Sequence, residues 1–246
     1  IEDGEGTKSC LYVSDDGLLI RPVNDNTTTT FFVRGATGTG ILAADTSNNV
    51  VKVGSTQTPA NSQILEFHAR GLVPSASGTH HFVPRPDSHY GLSNIETANG
   101  SRPDASYFGS AVETTMGTGT DPDTSLDAGA TTDDLLQNIF IVPVNSTIDA
   151  VKFIVSTATD TDTIINVHLY KFLMVNAGGT SDGNLESGTL LAHGQATAVD
   201  RNVIKTVTCT VDSASVSAGE VIACFVENET NTDSVFLQTQ VLYHFD

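Results

Sequence analysis

The sequence predicts an all-β protein, with a short intertwined N-terminal β-stem followed by an antiparallel, jelly-roll-like β-sandwich. Thr, Val, Ser, Asp and Gly recur throughout, with only 11 Lys and Arg, 2 Met and no Trp. Such a composition favours strands and tight turns over helices. Strand-length apolar runs separated by turn signals fill the first part of the chain. Alternation of apolar and polar residues dominates the last part, which indicates half-buried strands.

Residues 1–56 read as the stem, because their apolar runs are very short. These runs are LYV, LLIRPV, TTFFVR, ILAA and VVKV, separated by SDDG, NDN, GATGTG and DTSNN. No strand of this length builds a core alone, so the region is expected to stack on copies of itself as an intertwined oligomer.

Residues 57–134 read as a linker and loop-rich region packed on the head. In ILEFHARGLVP, Ile64, Leu65 and Phe67 predict a strand that ends before Gly71, after a polar stretch with a proline. Between Pro74 and Asp134 the chain is rich in Gly, Ser, Thr, Asp and Pro. A structureless loop of that length is uncommon in a compact domain, so we expect it to wrap the surface, form short strands or pack between subunits.

Residues 135–246 read as the sandwich, because seven successive strand-like segments are separated by turn signals. The segments are LLQNIFIVPV, IDAVKFIVS, TIINVHLYKFLM, TLLAHGQATAV, NVIKTVTCTV, EVIACFVEN and VFLQTQVLYHF. In the third segment the inward set is predicted to be Ile165, Val167 and Leu169, with Asn166, His168 and Tyr170 on the other face. Long strands numbering close to eight favour a jelly roll.

A family resemblance is carried by FFVRGATGTGILAADTSNNVVKVG, from Phe31 to Gly54. It resembles the neck segments of tailed-phage fibre and related virion proteins, in which strand, glycine turn, strand and Asx-rich turn repeat along a trimeric shaft. The resemblance implies a homotrimer on the virion surface, outside the cell, contacting other virion proteins and recognising a host surface that includes glycan. Alternatives within the same resemblance are a head fibre and a capsid decoration protein, and a carbohydrate-binding module is a further alternative.

The formal net charge of −18 argues against two classes of partner. Nucleic-acid binding depends on Lys and Arg displacing counterions from phosphates, so we expect no nucleic-acid partner and no anionic membrane partner. No run of about 18 apolar residues is present, so we expect no membrane insertion. The first residues, IEDGEGTKSC, lack the basic and apolar regions of a signal peptide.

Histidines form one candidate metal site, in THHFVPRPDSHY with His80, His81 and His89. Imidazoles are good ligands for transition metals, but no Cys or closely spaced carboxylate completes a set. We therefore predict no metal there, and expect a solvated loop or a contact between subunits.

Aspartates form two candidate calcium sites, since Ca²⁺ prefers several oxygen ligands on a flexible loop. The stronger candidate is DPDTSLDAG, which holds Asp121, Asp123, Asp127 and Gly129, and the weaker is TATDTDT, which holds Asp160 and Asp162. Neither has the EF-hand spacing, and surface turns explain both more simply. We predict no cofactor, with calcium as the one ion left open.

Catalytic motifs are absent from the sequence, which has no Gly-x-Ser-x-Gly, no His-Glu-x-x-His and no phosphate-binding loop. We therefore predict that the protein is not an enzyme and assign no catalytic residues.

The candidate aromatic platforms for a sugar are Tyr90, Tyr107, Phe108 and Tyr170. Each of them is expected more readily in a core or at its rim.

The three cysteines are expected to be free thiols, with a disulfide between the second and the third left open. They are Cys10, Cys209 and Cys224.

Overall fold

The computed structural model describes residues 11–14, 17–20, 30–47, 50–54, 58–59, 61–73, 77–85, 116–129, 138–159, 161–175 and 184–246. The chain forms two compact units. The first contains residues 1–62 with 244–246, and the second contains residues 63–243.

The first unit contains a two-stranded hairpin and a four-stranded antiparallel sheet. The hairpin pairs β1 (Leu11–Ser14) with β2 (Gly17–Ile20). The sheet has the order β3 (Phe31–Arg34), β4 (Gly40–Asp45), β5 (Val50–Val53) and β6 (Thr58–Pro59). The short strands predicted from the sequence in this region are confirmed.

The second unit contains a seven-stranded sheet in which β10, β17, β12, β13 and β15 follow one another, with β8 added to β17 and β9 to β13. Its strands are β8 (His80–Phe82), β9 (Ser125–Gly129), β10 (Ile139–Ile141), β12 (Thr163–Val175), β13 (Asn184–Val199), β15 (Thr210–Val211) and β17 (Val221–Asn228). All of its pairings are antiparallel.

A five-stranded sheet completes the second unit, with the order β14, β11, β18, β7, and β16 added to β11. Its strands are β7 (Ser62–Leu72), β11 (Ser146–Thr157), β14 (Lys205–Thr208), β16 (Ser215–Val216) and β18 (Val235–Phe245). From β7 onward the chain crosses between the two sheets repeatedly: β7 to β8, β10 to β11, β11 to β12, β13 to β14, β14 to β15, β15 to β16, β16 to β17 and β17 to β18. Repeated crossing of this kind is typical of a jelly roll, and the predicted β-sandwich is confirmed.

Alternating side chains from both sheets fill the space between them. Cys224 on β17 and Thr239 on β18 approach to 3.9 Å, which identifies the inward faces of these two strands. Leu169 lies opposite Cys224 in the register of β12 and β17 and is buried, so the predicted inward set of β12 is correct. Gly194 on β13 makes room for the facing sheet, because an added Cβ would lie 3.0 Å from Phe153.

The outer face of the seven-stranded sheet is also buried, which strand alternation did not predict. Asn166, His168 and Tyr170 are all fully buried there, in line with Phe225 on β17. Residues 116–124 form a covering turn over this face, closed by mutual backbone hydrogen bonds between Thr118 and Asp121. A second apolar cluster therefore lies beneath it, made of Phe82, Met116, Ile139, Tyr170, Phe172, Leu185, Leu190, Val221, Ala223 and Phe225.

The cysteines of the second unit, Cys209 and Cys224, are buried free thiols, as predicted. Burial is the main cause that raises the pKa of Cys209 to about 12 and raises that of Cys224 further. Cys10 lies outside the described residues.

Within the described part of the chain, no helix has the length and apolar character needed to cross a membrane.

Candidate functional site

An open groove on the outer face of the five-stranded sheet is the candidate binding site. Three strands supply its walls, because each alternates between buried and solvent-facing positions. On β18, Val235 and Leu237 are buried while Phe236 faces solvent. The same alternation turns His68 and Arg70 outward from β7, and Ile154 and Ser156 outward from β11.

The groove has a volume of about 260 Å³. It is lined by His68, Ala69, Arg70, Ile154, Val155, Ser156, Ile204, Phe236, Leu237 and Gln238. Its apolar side chains are accessible to a ligand, since Phe236 is 39% exposed and Ile204 is 74% exposed. The Phe236 ring packs over Gly71, where an added Cβ would lie 3.6 Å from the ring.

Polar groups border the groove on the β7 and β18 side. The Glu66 carboxylate accepts hydrogen bonds from Gln240 at 2.8 Å and from Gln238 at 3.4 Å. His68 Nε2 lies 3.5 Å from Glu66, close enough for an ion pair but without the geometry of a hydrogen bond. Phe236 and Gln238 both lie at outward positions of β18 and line the groove, so a ligand there would meet both side chains.

A buried polar cluster lies on the other sheet, beneath the covering turn. His168 Nε2 lies 3.3 Å from the carbonyl oxygen of Thr118, which only accepts, so Nε2 carries the proton. His168 Nδ1 is then the acceptor for His80 Nε2–H at 3.1 Å. The same His80 nitrogen lies 3.4 Å from the Glu227 carboxylate.

Asn166 extends the buried polar cluster toward solvent. Its amide nitrogen donates to Glu227 at 2.7 Å and to Glu229 at 3.0 Å, and its amide oxygen accepts from Gln195 at 2.9 Å. Gly119 of the covering turn closes over this amide, because an added Cβ there would lie 2.5 Å from the Asn166 oxygen.

Burial determines the protonation of the polar cluster. It lowers the pKa of His168 from 6.5 to about 4, and the hydrogen bond with the Thr118 carbonyl only partly opposes this. Burial also raises the pKa of Glu227, while the hydrogen bond from Asn166 lowers it. His168 is therefore neutral at pH 7, in agreement with its role as an acceptor from His80.

The polar cluster anchors the covering turn, since the buried His168 contacts the Thr118 carbonyl oxygen of that turn. His80, His168 and Asn166 are each at most 1% exposed, so a ligand has no access to them in this conformation. The groove, by contrast, opens to solvent, and it is the better candidate for binding.

The predicted environment of the histidine motif is wrong for His80 and His81. Both lie on β8 and are 1% exposed, because β8 pairs with β17 inside the sheet and is not a solvated loop. His89 lies outside the described residues. Among the residues that the structure describes, no three His, Cys, Asp or Glu side chains are placed to hold a metal ion.

The aspartate motifs fall partly within the described ranges. Asp121 and Asp123 are exposed on the covering turn, and Asp162 is exposed before β12. Asp127 and Gly129 lie on β9. Asp160 lies outside the described residues. The calcium prediction stays a prediction.

Of the aromatic candidates, Tyr170 is a core residue, as expected, and its hydroxyl donates to the carbonyl oxygen of Asp123 at 2.5 Å. Tyr90, Tyr107 and Phe108 lie outside the described residues. Sequence reasoning missed Phe236, although a signal was present: it is a phenylalanine at an outward position of a clearly alternating strand. An aromatic ring on the polar face of a strand is a reason to look for a ligand.

No protein-family model matches the chain, and no curated protein matches its sequence.

Proposed function

We propose that the protein is an attachment protein of the virion surface that binds a host-surface carbohydrate in the groove and acts as a homotrimer. The groove is the observation that carries the proposal. Carbohydrate and other small-ligand sites combine an apolar platform with a few fixed polar groups. Phe236 supplies the platform, and Gln238 and Ser156 supply polar groups at its border.

Cell binding tests the attachment role. The labelled full chain is expected to bind bacterial cells, and periodate oxidation of their surface carbohydrate is expected to abolish binding. Phe236→Ala removes the platform and should weaken binding at least 10-fold. Ile141→Ala is the matched control, because Ile141 is 58% exposed on the other sheet. Equal loss in both variants, or binding unaffected by periodate, would contradict the proposal.

Self-association is supported by one apolar face of the sheet formed by β3, β4 and β5. The register places Phe31 beside Ala44 and Val51, and Val33 beside Leu42 and Val53. Phe31, Val33, Val51 and Val53 are between 37% and 47% exposed. A sheet face without polar side chains is normally buried against a second layer.

The apolar face is compatible in charge with a second copy of the chain as that layer. Chains with a formal net charge of −18 repel one another, and a face without charged side chains adds no repulsion at the contact. The opposite face of the same sheet carries Lys52 and Asp45, whose side chains form an ion pair at 2.6 Å. We propose three copies because the resemblance of Phe31–Gly54 to virion neck segments implies that number, and three weak sites then act with avidity.

Sedimentation of single variants tests the assembly. Val51→Lys places a charge on the apolar face and should shift the protein to the monomer. Ile41→Lys is the control, because Ile41 is 53% exposed on the other face of β4. A wild-type protein that sediments as a monomer, or a Val51→Lys protein that remains oligomeric, would contradict self-association through this face.

Electron microscopy of virus particles that carry a tagged copy of the chain tests its location. Label on tail or head fibres is the expected result. Label at capsid lattice points would instead support a decoration protein.

A further inference from the structure

The groove differs in charge from the rest of the molecule. The chain has 29 Asp and Glu against 11 Lys and Arg. The side chains that line the groove nevertheless include Arg70 and His68 and no carboxylate. Glu66 lies two residues before His68 on β7, and its carboxylate accepts hydrogen bonds from Gln238 and Gln240.

Arg70 is placed to receive an anion. It is exposed at the outward face of β7, and within the described part of the chain it has neither a hydrogen-bond nor an ion-pair partner. A guanidinium offers paired N–H donors that match the two oxygens of a carboxylate. In a strongly acidic protein, Arg70 gives this groove a local positive charge that a carboxylate ligand can pair with.

The remaining groups of the groove suit a sugar ring. Phe236 and Ile204 offer an apolar surface, and the Ser156 hydroxyl has no partner among the described residues. The Gln238 amide can both donate and accept. The volume of about 260 Å³ lies just below the roughly 300 Å³ at the lower end of ligand pockets, which favours a ring-sized unit over a larger group.

We propose that the groove selects acidic carbohydrate, with the carboxylate of a sugar unit bound by Arg70 and its ring resting on Phe236. This inference rests on the proposed attachment function and specifies its ligand class. Binding is reversible and involves no covalent step.

The experiment compares acidic polysaccharides with their own carboxyl-reduced forms on one array, using the full chain. Carboxyl reduction turns each uronic acid into a neutral sugar and leaves the ring in place. The chain is expected to bind at least one acidic polysaccharide and to lose that binding on reduction. Added salt should weaken the binding, because it screens the ion pair.

Two variants and one control locate the binding. Arg70→Gln should weaken binding of the acidic polysaccharide about 10- to 100-fold, the range expected for a hydrogen bond to a charged group. Phe236→Ala should also weaken it, because the sugar ring loses its apolar platform. Lys171→Gln is the matched control, since it removes one positive charge from the seven-stranded sheet, where Lys171 pairs with Glu220 at 3.1 Å. Its binding should equal that of the wild type.

The outcomes separate this inference from the proposed function. Equal binding to acidic and reduced polysaccharides, still dependent on Phe236, would retain attachment through the groove and overturn the acidic preference. Acidic binding that survives both Arg70→Gln and Phe236→Ala would place the site elsewhere and overturn the inference. Binding to poly-glutamate in preference to every polysaccharide would overturn it in favour of an acidic peptide. Absence of all carbohydrate binding would overturn both proposals.

Discussion

At the scale of single residues, Gly194 shows how closely the two sheets approach. An added Cβ would lie 2.9 Å from Cys209 Sγ, 3.0 Å from Phe153 and 3.2 Å from Val207. All three neighbours are on or beside strands of the facing sheet, so none can move without disturbing its own packing. Any larger side chain at this position therefore overpacks the core.

Gly194→Ala is expected to lower the free energy of unfolding by about 1–3 kcal/mol, the usual cost of overpacking a core. Denaturation in urea measures this. Adding Cys209→Ala removes the nearest atom, so the double variant should lose less than the sum of the two single losses. Strict additivity would show that Cys209 is not what the added methyl group meets.

His168 gives the protein a pH-dependent stability. Its pKa is about 4 in the folded protein against an ordinary value of 6.5, which the unfolded chain retains, so the unfolded chain binds more protons between these values. The contribution of His168 to the free energy of unfolding is fully present above pH 6.5 and is lost as the pH falls toward 4. The lowered pKa corresponds to a loss of about 3 kcal/mol in that free energy.

The matched variant is His168→Gln, whose amide can accept from His80 and donate to Thr118 but does not titrate. The difference in unfolding free energy between wild type and variant should shrink by up to about 3 kcal/mol between roughly pH 7.5 and 4. Glu227, whose pKa is raised, acts in the opposite direction, but it is present in both proteins. Parallel stability curves for the two proteins would contradict this role of His168.

At the scale of elements, the covering turn is held by one buried side chain and a few polar contacts. Met116 is fully buried in the outer cluster, and the carbonyl oxygen of Asp123 accepts a hydrogen bond from the hydroxyl of Tyr170. Gly117 has a φ of 71°, and an added Cβ would lie 2.3 Å from the Asp121 carbonyl oxygen, so the turn requires glycine there.

Met116→Ala should lower the free energy of unfolding by about 2–5 kcal/mol, because it leaves a cavity beneath the turn. The second methionine, Met174, is the control, since it is only partly buried against the same cluster. Met174→Ala should cost clearly less in the same urea titration. Equal losses would mean that Met116 does not anchor the turn.

The sequence predicts most strands because their alternation is local. The inward set predicted for β12 is buried, and the five short runs of the first unit all form strands. The buried polar cluster was not predictable in this way, because His80, His168 and Glu227 meet only through the pairing of β8, β12 and β17. Alternation gives the face of a residue, but it does not show what covers that face.

At the scale of the whole molecule, the formal net charge of −18 opposes association of copies. Salt shortens the screening length from about 30 Å at 0.01 M to about 3 Å at 1 M. Self-association through the apolar face of β3, β4 and β5 should therefore strengthen as salt is added, and sedimentation across a salt series measures it. Binding of acidic carbohydrate should weaken over the same series. If added salt strengthened both self-association and carbohydrate binding, or weakened both, either the apolar contact between copies or the ion pair with the carbohydrate would be contradicted.

β12 has a paired strand on each side and a buried layer on each face, since β13 and β17 flank it and the covering turn closes its outer side. Its backbone amides thus have no local route to solvent. Their exchange with deuterium, from Ile165 to Phe172, should proceed only when the whole second unit unfolds. Exchange rates in this strand would consequently report the global stability of that unit directly, without denaturant.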